Sequence, residues 1–344
     1  MSLSVLFNIR TSLWMLMFMS PHSIIGLWYN RPIFSSCATW NPNASTFTNQ
    51  DTLGYYINGI FVDNKDTVYA ESWYNNVIKV WPNASSIATR TITGVSNPCN
   101  LVVSMNGDIY VDNSNGDGQV DKWTLNSTSG VGMMNISKSC NSLFIDTNNT
   151  LYCSQSDLNR VIKLNLNDNS STPVTIAGNG SIGSAANLLS RPWGIFVDTD
   201  FTLYVADCNN NRIQRFKSGE MNGTTVAGST APGTISLSYP GSVAVTGDGY
   251  LFIMDSGNYR IIRSSAGGFQ CVAGCSMLSG STPDKLNNAR QIAFDSSGNI
   301  FVTDDDNHRV QKFTLKSNSC GKFQHVYFVL VEESQHMCIF FKLT

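Results

Sequence analysis

The chain has 344 residues, 42% of them hydrophobic, which suffices for one large domain or two ordinary ones around a buried core. Only 13% are charged and the formal net charge is −2, so no broad basic field exists to collect phosphates and no nucleic-acid partner is expected.

Residues 1–29 read as a signal peptide or signal anchor. Arg10 precedes the apolar run Leu13 to Met19, which has the length of a secretory hydrophobic region and is too short alone to span a bilayer. Cleavage before Cys37 fits this reading, and export is favoured. The uncharged stretch continues to Tyr29, so the alternative is a retained transmembrane anchor, the one form in which a membrane contact is expected. N-x-S/T triplets at Asn43, Asn83, Asn126, Asn135, Asn148, Asn169, Asn179 and Asn222 agree with passage through a glycosylating compartment. Nine cysteines then read as a partial disulfide framework with one left over, and none shows the CxxC pairs of a zinc site.

From Cys37 the segment "CATWNPNASTFTN" looks like a strand displaced from a repeat that follows. "TVYAESWYNNVIKVW" (67 to 81) is the first of six copies of one pattern: an aromatic, a short apolar run, a polar turn and a second alternating run. The others lie at 108 to 123, 150 to 164, 202 to 216, 250 to 264 and 299 to 313. A further strand-like segment precedes each, such as "GIFVD" at Gly59 and Gly194, and some copies add a fourth, such as "TTVAG" at Thr224. Aromatic markers from Tyr69 to Phe301 recur at roughly forty to fifty residues, the period of propeller blades. The fold expected is all-β, a six-bladed propeller of four-stranded antiparallel blades over 37–320.

The last copy, ending at Phe313, lacks a convincing fourth strand. If the Cys37 segment adds beside "RVQKF", first and last segments share one blade and two open edges disappear. Cys37 and Cys320 then flank the seam as a disulfide pair. Cys271 and Cys275 form a second pair if the strand breaks at Gly274, and Cys153, in a strand, reads as a buried thiol. Residues 321–344 are an atypical tail that could close the ring instead.

Four chemical-looking patterns reduce to local structure. Asp207-Cys208-Asn209-Asn210-Asn211 places oxygen ligands like a calcium loop, but Arg212 replaces the required glycine and Ser218 the bidentate glutamate. The recurrent arginines Arg160, Arg212, Arg260 and Arg309 read as turn anchors. Gly178, Gly180 and Gly183 fit GxGxxG without the helix a dinucleotide site needs. Asp63, Asp146, Asp198 and Asp295 recur at one strand end and read as turn acids.

"RPWGIFVD…TLYVADCNNNRIQRF…TTVAG" resembles the NHL-repeat family of β-propellers, most closely from Arg191 to Phe313. The blade at Gly59 departs from the pattern, with Trp73-Tyr74 and no arginine in its turn; the blade at Asn100 has Asp121 and an expanded glycine turn. Lyase members of the family hold zinc in the channel by a histidine cluster. Here only His308 of His22, His308, His325 and His336 lies in the repeats, so no metal or other cofactor is expected. Members that join the propeller to RING and coiled-coil regions bind RNA on a basic face, and neither those regions nor the basic surplus is present.

In a four-stranded blade the first-to-second and third-to-fourth connections share one face. Asn83, Asn126, Asn148, Asn169 and Asn222 map there. The opposite face, with the second-to-third turns, is left for a ligand, and Trp73, Tyr74, Asp112, Asp157, Asp207, Tyr259 and His308 are its candidate contacts. The expectation is a monomeric, non-catalytic module that binds a protein or glycan; the alternative is an extracytoplasmic metal-dependent lyase or hydrolase working at the channel.

Overall fold

The computed structural model describes residue 27, residues 29–320 apart from 114–117, 169–171, 230 and 232–234, and two further strands, Val329–Glu333 and His336–Phe340. The hydrophobic run at 13–19, Asn169 and His325 lie outside the described residues.

Six four-stranded antiparallel sheets form a ring. Blade 1 comprises Ile60–Val62, Val68–Ser72, Val77–Trp81 and Arg90–Thr93, and blade 2 Pro98–Val103, Ile109–Asn113, Gln119–Trp123 and Val131–Asn135. Blade 3 comprises Ser142–Ile145, Thr150–Gln155, Arg160–Asn165 and Val174–Ala177. Blade 4 comprises Pro192–Val197, Leu203–Asp207, Arg212–Phe216 and Thr224–Gly228, and blade 5 Pro240–Val245, Leu251–Asp255, Arg260–Ser265 and Gly268–Ala273. Blade 6 takes Ala289–Phe294, Ile300–Asp304 and Arg309–Phe313 from the end of the chain and Ser45–Asn49 from its beginning. Ser45 stands opposite Lys312 and Asn49 opposite Arg309, so the ring closes as the sequence predicts. Thr39–Trp40 pairs with Leu315–Ser317 beside this seam, where Cys37 and Cys320 are joined at 2.10 Å. Val329–Glu333 pairs with His336–Phe340 in a sheet of its own, so it supplies no blade strand.

The recurrent acid and aromatic are one device. Asp146 Oδ1 accepts the Asn148 and Thr150 amides, both at 2.9 Å, and tightens the first-to-second turn, while its Oδ2 accepts the Tyr152 hydroxyl at 2.8 Å. Asp63 with Tyr69 and Asp198 with Tyr204 repeat it. Burial beside that carboxylate pushes the Tyr69 phenol up to about 12. In blade 6 Phe301 has no hydroxyl, and the Asn299 amide serves Asp295 Oδ2 instead, at 2.7 Å.

First strands line the central channel, and close approach sets their small residues. A Cβ on Gly194 would lie 2.5 Å from Ser242 Cα and 2.7 Å from the Gly241 carbonyl oxygen of blade 5. At the end of the channel away from the second-to-third turns, the N-terminal segment forms a plug. Tyr29 meets Phe144 edge-on at 5.2 Å, the Asn30 amide donates to the Asp63 and Phe294 carbonyls at 2.7 and 3.0 Å, and Arg31 donates to Val245 and Thr246. Leu27, Tyr29 and Phe34 are buried, so the folded unit reaches upstream of both expected boundaries, 29 and Cys37. Nothing in a blade repeat encodes a plug that crosses the axis once.

Cys271 is joined to Cys275 across Gly274, whose φ of +68° ends the strand there. Cys153 is a correction. It is bonded to Cys140, which approaches it from the link between blades 2 and 3, so it is no thiol. Among the described cysteines, Cys99 and Cys208 remain thiols.

Candidate functional site

The face of second-to-third turns and inter-blade links, hereafter the turn face, is built on a repeated lock. In blades 4, 5 and 6 a buried aspartate at the end of the second strand grips the arginine that opens the third: Asp207 with Arg212 at 2.7 Å, Asp255 with Arg260 at 2.8 Å, and Asp304 with Arg309 at 2.7 Å. Each aspartate also accepts the amide 17 residues upstream, that of Ser190, Ser238 or Asn287, at 2.7 Å. Arg212 spends its remaining donors on the Ser184, Ala185 and Leu188 carbonyls. Burial nonetheless raises Asp207 and Asp304 above the ordinary carboxylate range, against the pull of their partners. In blade 3 Gln155 replaces the acid, and blade 1 has Ser72 and Val77 in place of the whole pair.

A second device links neighbouring blades. After the turn comes a left-handed residue whose side chain accepts an amide from the next blade. Asn76 takes that of Asn97 at 2.6 Å, Asn159 that of Arg191 at 3.0 Å, and Asn211 that of Tyr239 at 2.8 Å. His308 holds the same place in blade 6 with φ +52°, and its Nδ1 accepts the Tyr56 amide at 3.3 Å. Asparagine and histidine are among the residues that adopt this conformation most readily, whereas the Tyr259 of blade 5, at φ +55°, is unusual in it.

Those rings gather at two places. Where blade 6 meets blade 1, Tyr55, Tyr56, Trp73 and Tyr74 are 43%, 44%, 37% and 63% exposed. His308 stands edge-on between Tyr55 and Tyr56, with centroids 5.0 and 4.9 Å away, and Tyr74 and Trp73 extend the cluster. Across blades 4, 5 and 6 runs a groove of about 420 Å³, bordered by Arg191, Trp193, Tyr239, Tyr259, Asn288 and Asp306. The Asp305–Asn307 turn connects the two, since Asp306 borders the groove and His308 follows the turn into the cluster.

The channel is narrower. Its apolar stretch, lined by rings such as Phe61, Phe144 and Phe196 and stoppered by Tyr29, holds about 70 Å³; its polar mouth on the turn face holds about 50 Å³. That is room for a few waters, well below the roughly 300 to 1,000 Å³ of small-molecule sites. At the mouth Gln291 Oε1 accepts the Asn100 side-chain and Ile60 backbone amides, each at 2.9 Å. Arg290 lies 4.7 Å above Trp193 and donates to Asp305 at 2.7 Å. Nearby Glu71 is fully buried: one carboxyl oxygen accepts the Gly59 amide at 2.6 Å, the other has no partner, and burial holds the acid well above the ordinary carboxylate range.

Of the sequence-derived contacts, Trp73, Tyr74 and His308 come together and Tyr259 enters the groove. Asp157 is exposed on blade 3, apart from both. Asp112 and Asp207 require correction: both are fully buried, Asp112 accepting the Cys140 amide and Asp207 closing its lock, so neither faces a ligand. Tyr55, Tyr56, Trp193 and Tyr239 were missed. For the three tyrosines the available signal was aromatics in the links "GYYING" and "SYPG", between the repeats; Trp193 stands within the repeat, at the start of the first strand of blade 4.

The glycosylation triplets divide differently from the expectation. All seven described acceptors are exposed. Asn83, Asn126, Asn148 and Asn222 follow the predicted connections, and Asn43, before the closing strand, joins them on that face. Asn135 ends the last strand of blade 2 and Asn179 lies in the link to blade 4, so part of the turn face also carries acceptors, over blades 2 to 4. The aromatic half, over blades 5, 6 and 1, carries none among the described residues.

Comparison with known proteins matches the NHL repeat model to residues 189–216 and 286–313, the locked portions of blades 4 and 6. No match is found among curated protein sequences. Solved structures share the fold at low identity. A protein of unknown function from Bacteroides thetaiotaomicron is 17% identical with a TM-score of 0.64, over 80% of this chain and 76% of its own. An auxiliary nutrient binding protein from the same organism is 14% identical with a TM-score of 0.60, over 85% and 76%. Virginiamycin B lyase from Staphylococcus aureus is 14% identical with a TM-score of 0.55, over 81% and 99%.

Proposed function

We propose that this NHL-repeat propeller is an exported, non-catalytic binding module whose protein or glycan partner seats on the turn face over blades 4, 5, 6 and 1. One observation carries the reading. The turn face carries both the 420 Å³ groove and the exposed rings of the Tyr55–Tyr74 cluster, while the channel has room for little beyond water. A nutrient-binding protein of the same fold gives the reading a precedent.

Export is supported by the three disulfides, which fit an oxidising compartment, and by the exposure of every described glycosylation triplet. Among the described residues no helix is long and apolar enough to cross a membrane. Sugars on Asn83, Asn126, Asn148 and Asn222 of the secreted protein, found by glycopeptide mapping, would support the orientation; four empty sites would remove it.

The rival, a channel lyase or hydrolase, has precedent in virginiamycin B lyase. Its best acid here is Glu71, raised by burial as a general acid would be, but the side chain is out of solvent reach. The strand-end aspartates are held by turn amides, and among the described residues no three His, Cys, Asp or Glu side chains form a metal-ligating group. The decisive comparison uses the secreted protein and its Tyr239→Ala/Tyr259→Ala variant, immobilised and exposed to extracellular extract. Selective loss of a retained partner from the variant supports the turn face, whereas equal retention counts against it. Chelator-sensitive turnover of esters or lactones by both forms would transfer the case to the rival.

A further inference from the structure

We infer that the blade 6 to blade 1 cluster is a stacking subsite for a neutral glycan, with Tyr55, Trp73 and Tyr74 supplying the ring faces. The inference rests on the turn-face reading and names the chemical class of its ligand.

The rings are arranged for access. Contacts within the cluster are edge-to-face, at interplanar angles of 73° to 88°, so each pair uses an edge of one ring and much of the area remains free. Their backbone is fixed beforehand. The Tyr55 amide donates to Asn75 Oδ1 at 2.8 Å and its carbonyl accepts the Ser72 hydroxyl at 2.6 Å. Tyr56 is held at φ +55° by the His308 bond, so the platform is ordered before a ligand arrives.

Charge narrows the ligand. In blade 1 Val77 stands where the turns of blades 3 to 6 carry arginine. The neighbouring cation of blade 6, Arg309, is spent on Asp304 and on the Ser281, Thr282 and Lys285 carbonyls. The Lys79 ammonium donates to the Thr52 carbonyl. Both cations already have acceptors within the protein, which favours a neutral sugar over an anionic one. The surroundings are carboxamides: Asn75 on Tyr55, and Asn97, whose amide donates to the Trp73 carbonyl at 3.5 Å. Rings interspersed with amide groups match the alternating C–H faces and hydroxyl edges of a pyranose chain.

The test is calorimetric titration of the full secreted protein with four neutral hexasaccharides, β-1,4-linked glucose, α-1,4-linked glucose, β-1,4-linked mannose and β-1,4-linked N-acetylglucosamine, and with a heparin hexasaccharide as the anionic arm. Saturable binding of a neutral oligosaccharide is expected, weakened about tenfold or more by Trp73→Ala and by Tyr74→Ala, and kept within about threefold by Tyr74→Phe. Thermal midpoints of the variants should stay at the native value, since these rings are exposed. Failure of all four neutral sugars, or binding of heparin alone, overturns the assignment. A protein partner lost from Trp73→Ala with no sugar bound would sink the glycan class and leave the turn-face reading standing. A neutral sugar bound equally by every variant and by Tyr239→Ala/Tyr259→Ala would sink both.

Discussion

Blades 4 to 6 and blade 1 solve the same geometric problem in different ways. In blades 4 to 6 the second-to-third turn is a closed electrostatic unit, with a buried aspartate, its arginine and an upstream amide, and little of it is free for a ligand. In blade 1 a serine and a valine take those places, and the link from the closing strand brings Tyr55 and Tyr56 against the turn. The aspartates and arginines that look most chemical are therefore structural where the repeat is regular; the groove lies between those locks, and the exposed ring cluster lies where the repeat decays. The match to the repeat model falls on blades 4 and 6, whose turn aspartates are already committed, and the same stretches carry Arg191, Trp193, Asn288 and Asp306 of the groove and His308 of the cluster.

The largest effect should come from opening a lock. Asp207→Ala strands a buried guanidinium and the Ser190 amide, so a loss of about 3 to 5 kcal/mol is expected in denaturant unfolding. Ser72→Ala, at the corresponding position of blade 1, removes neutral hydrogen bonds only and should cost about 1 kcal/mol. Equal losses would erase the contrast between the two kinds of blade.

Glu71 sharpens the contrast through pH. It belongs to blade 1, is fully buried, and burial raises it well above the ordinary carboxylate range. The folded protein therefore holds its proton to higher pH than the unfolded chain does, and stability tied to this acid is present at low pH and is lost as pH rises through the raised value. Glu71→Gln, which cannot ionise, should match the native protein near pH 4 and become progressively more stable than it toward pH 8. A stability difference independent of pH between those limits would contradict the assignment.

How much of this was legible follows from the same contrast. The ring, its six blades and its closure by Ser45–Asn49 were readable because each copy restates one hydrophobic period and one turn. The plug of Tyr29 to Arg31 was not, because a segment crossing the axis once has no period to reveal it. Cys153 misled because it stands at an apolar strand position while its partner Cys140 lies in a link. Asp112 and Asp207 misled because a turn acid and a ligand-binding acid share a sequence signature and differ only in what surrounds them. Tyr55 and Tyr56 were overlooked because they lie between the copies, where sequence pattern gives no guide to proximity.

The smallest effect is expected at His308, where the two solutions touch. Its imidazole serves as the inter-blade acceptor that Asn159 and Asn211 supply elsewhere, and it also spaces the Tyr55 and Tyr56 rings. His308→Asn replaces it with the residue the regular blades use, which tolerates the left-handed backbone better, so stability should hold or rise by a few tenths of a kcal/mol. His308→Ala loses the acceptor and leaves the Tyr56 amide without it, at a cost of about 1 kcal/mol. If asparagine destabilises as much as alanine, the latch is not what His308 provides, and its place must be explained by its contacts with the Tyr55 and Tyr56 rings.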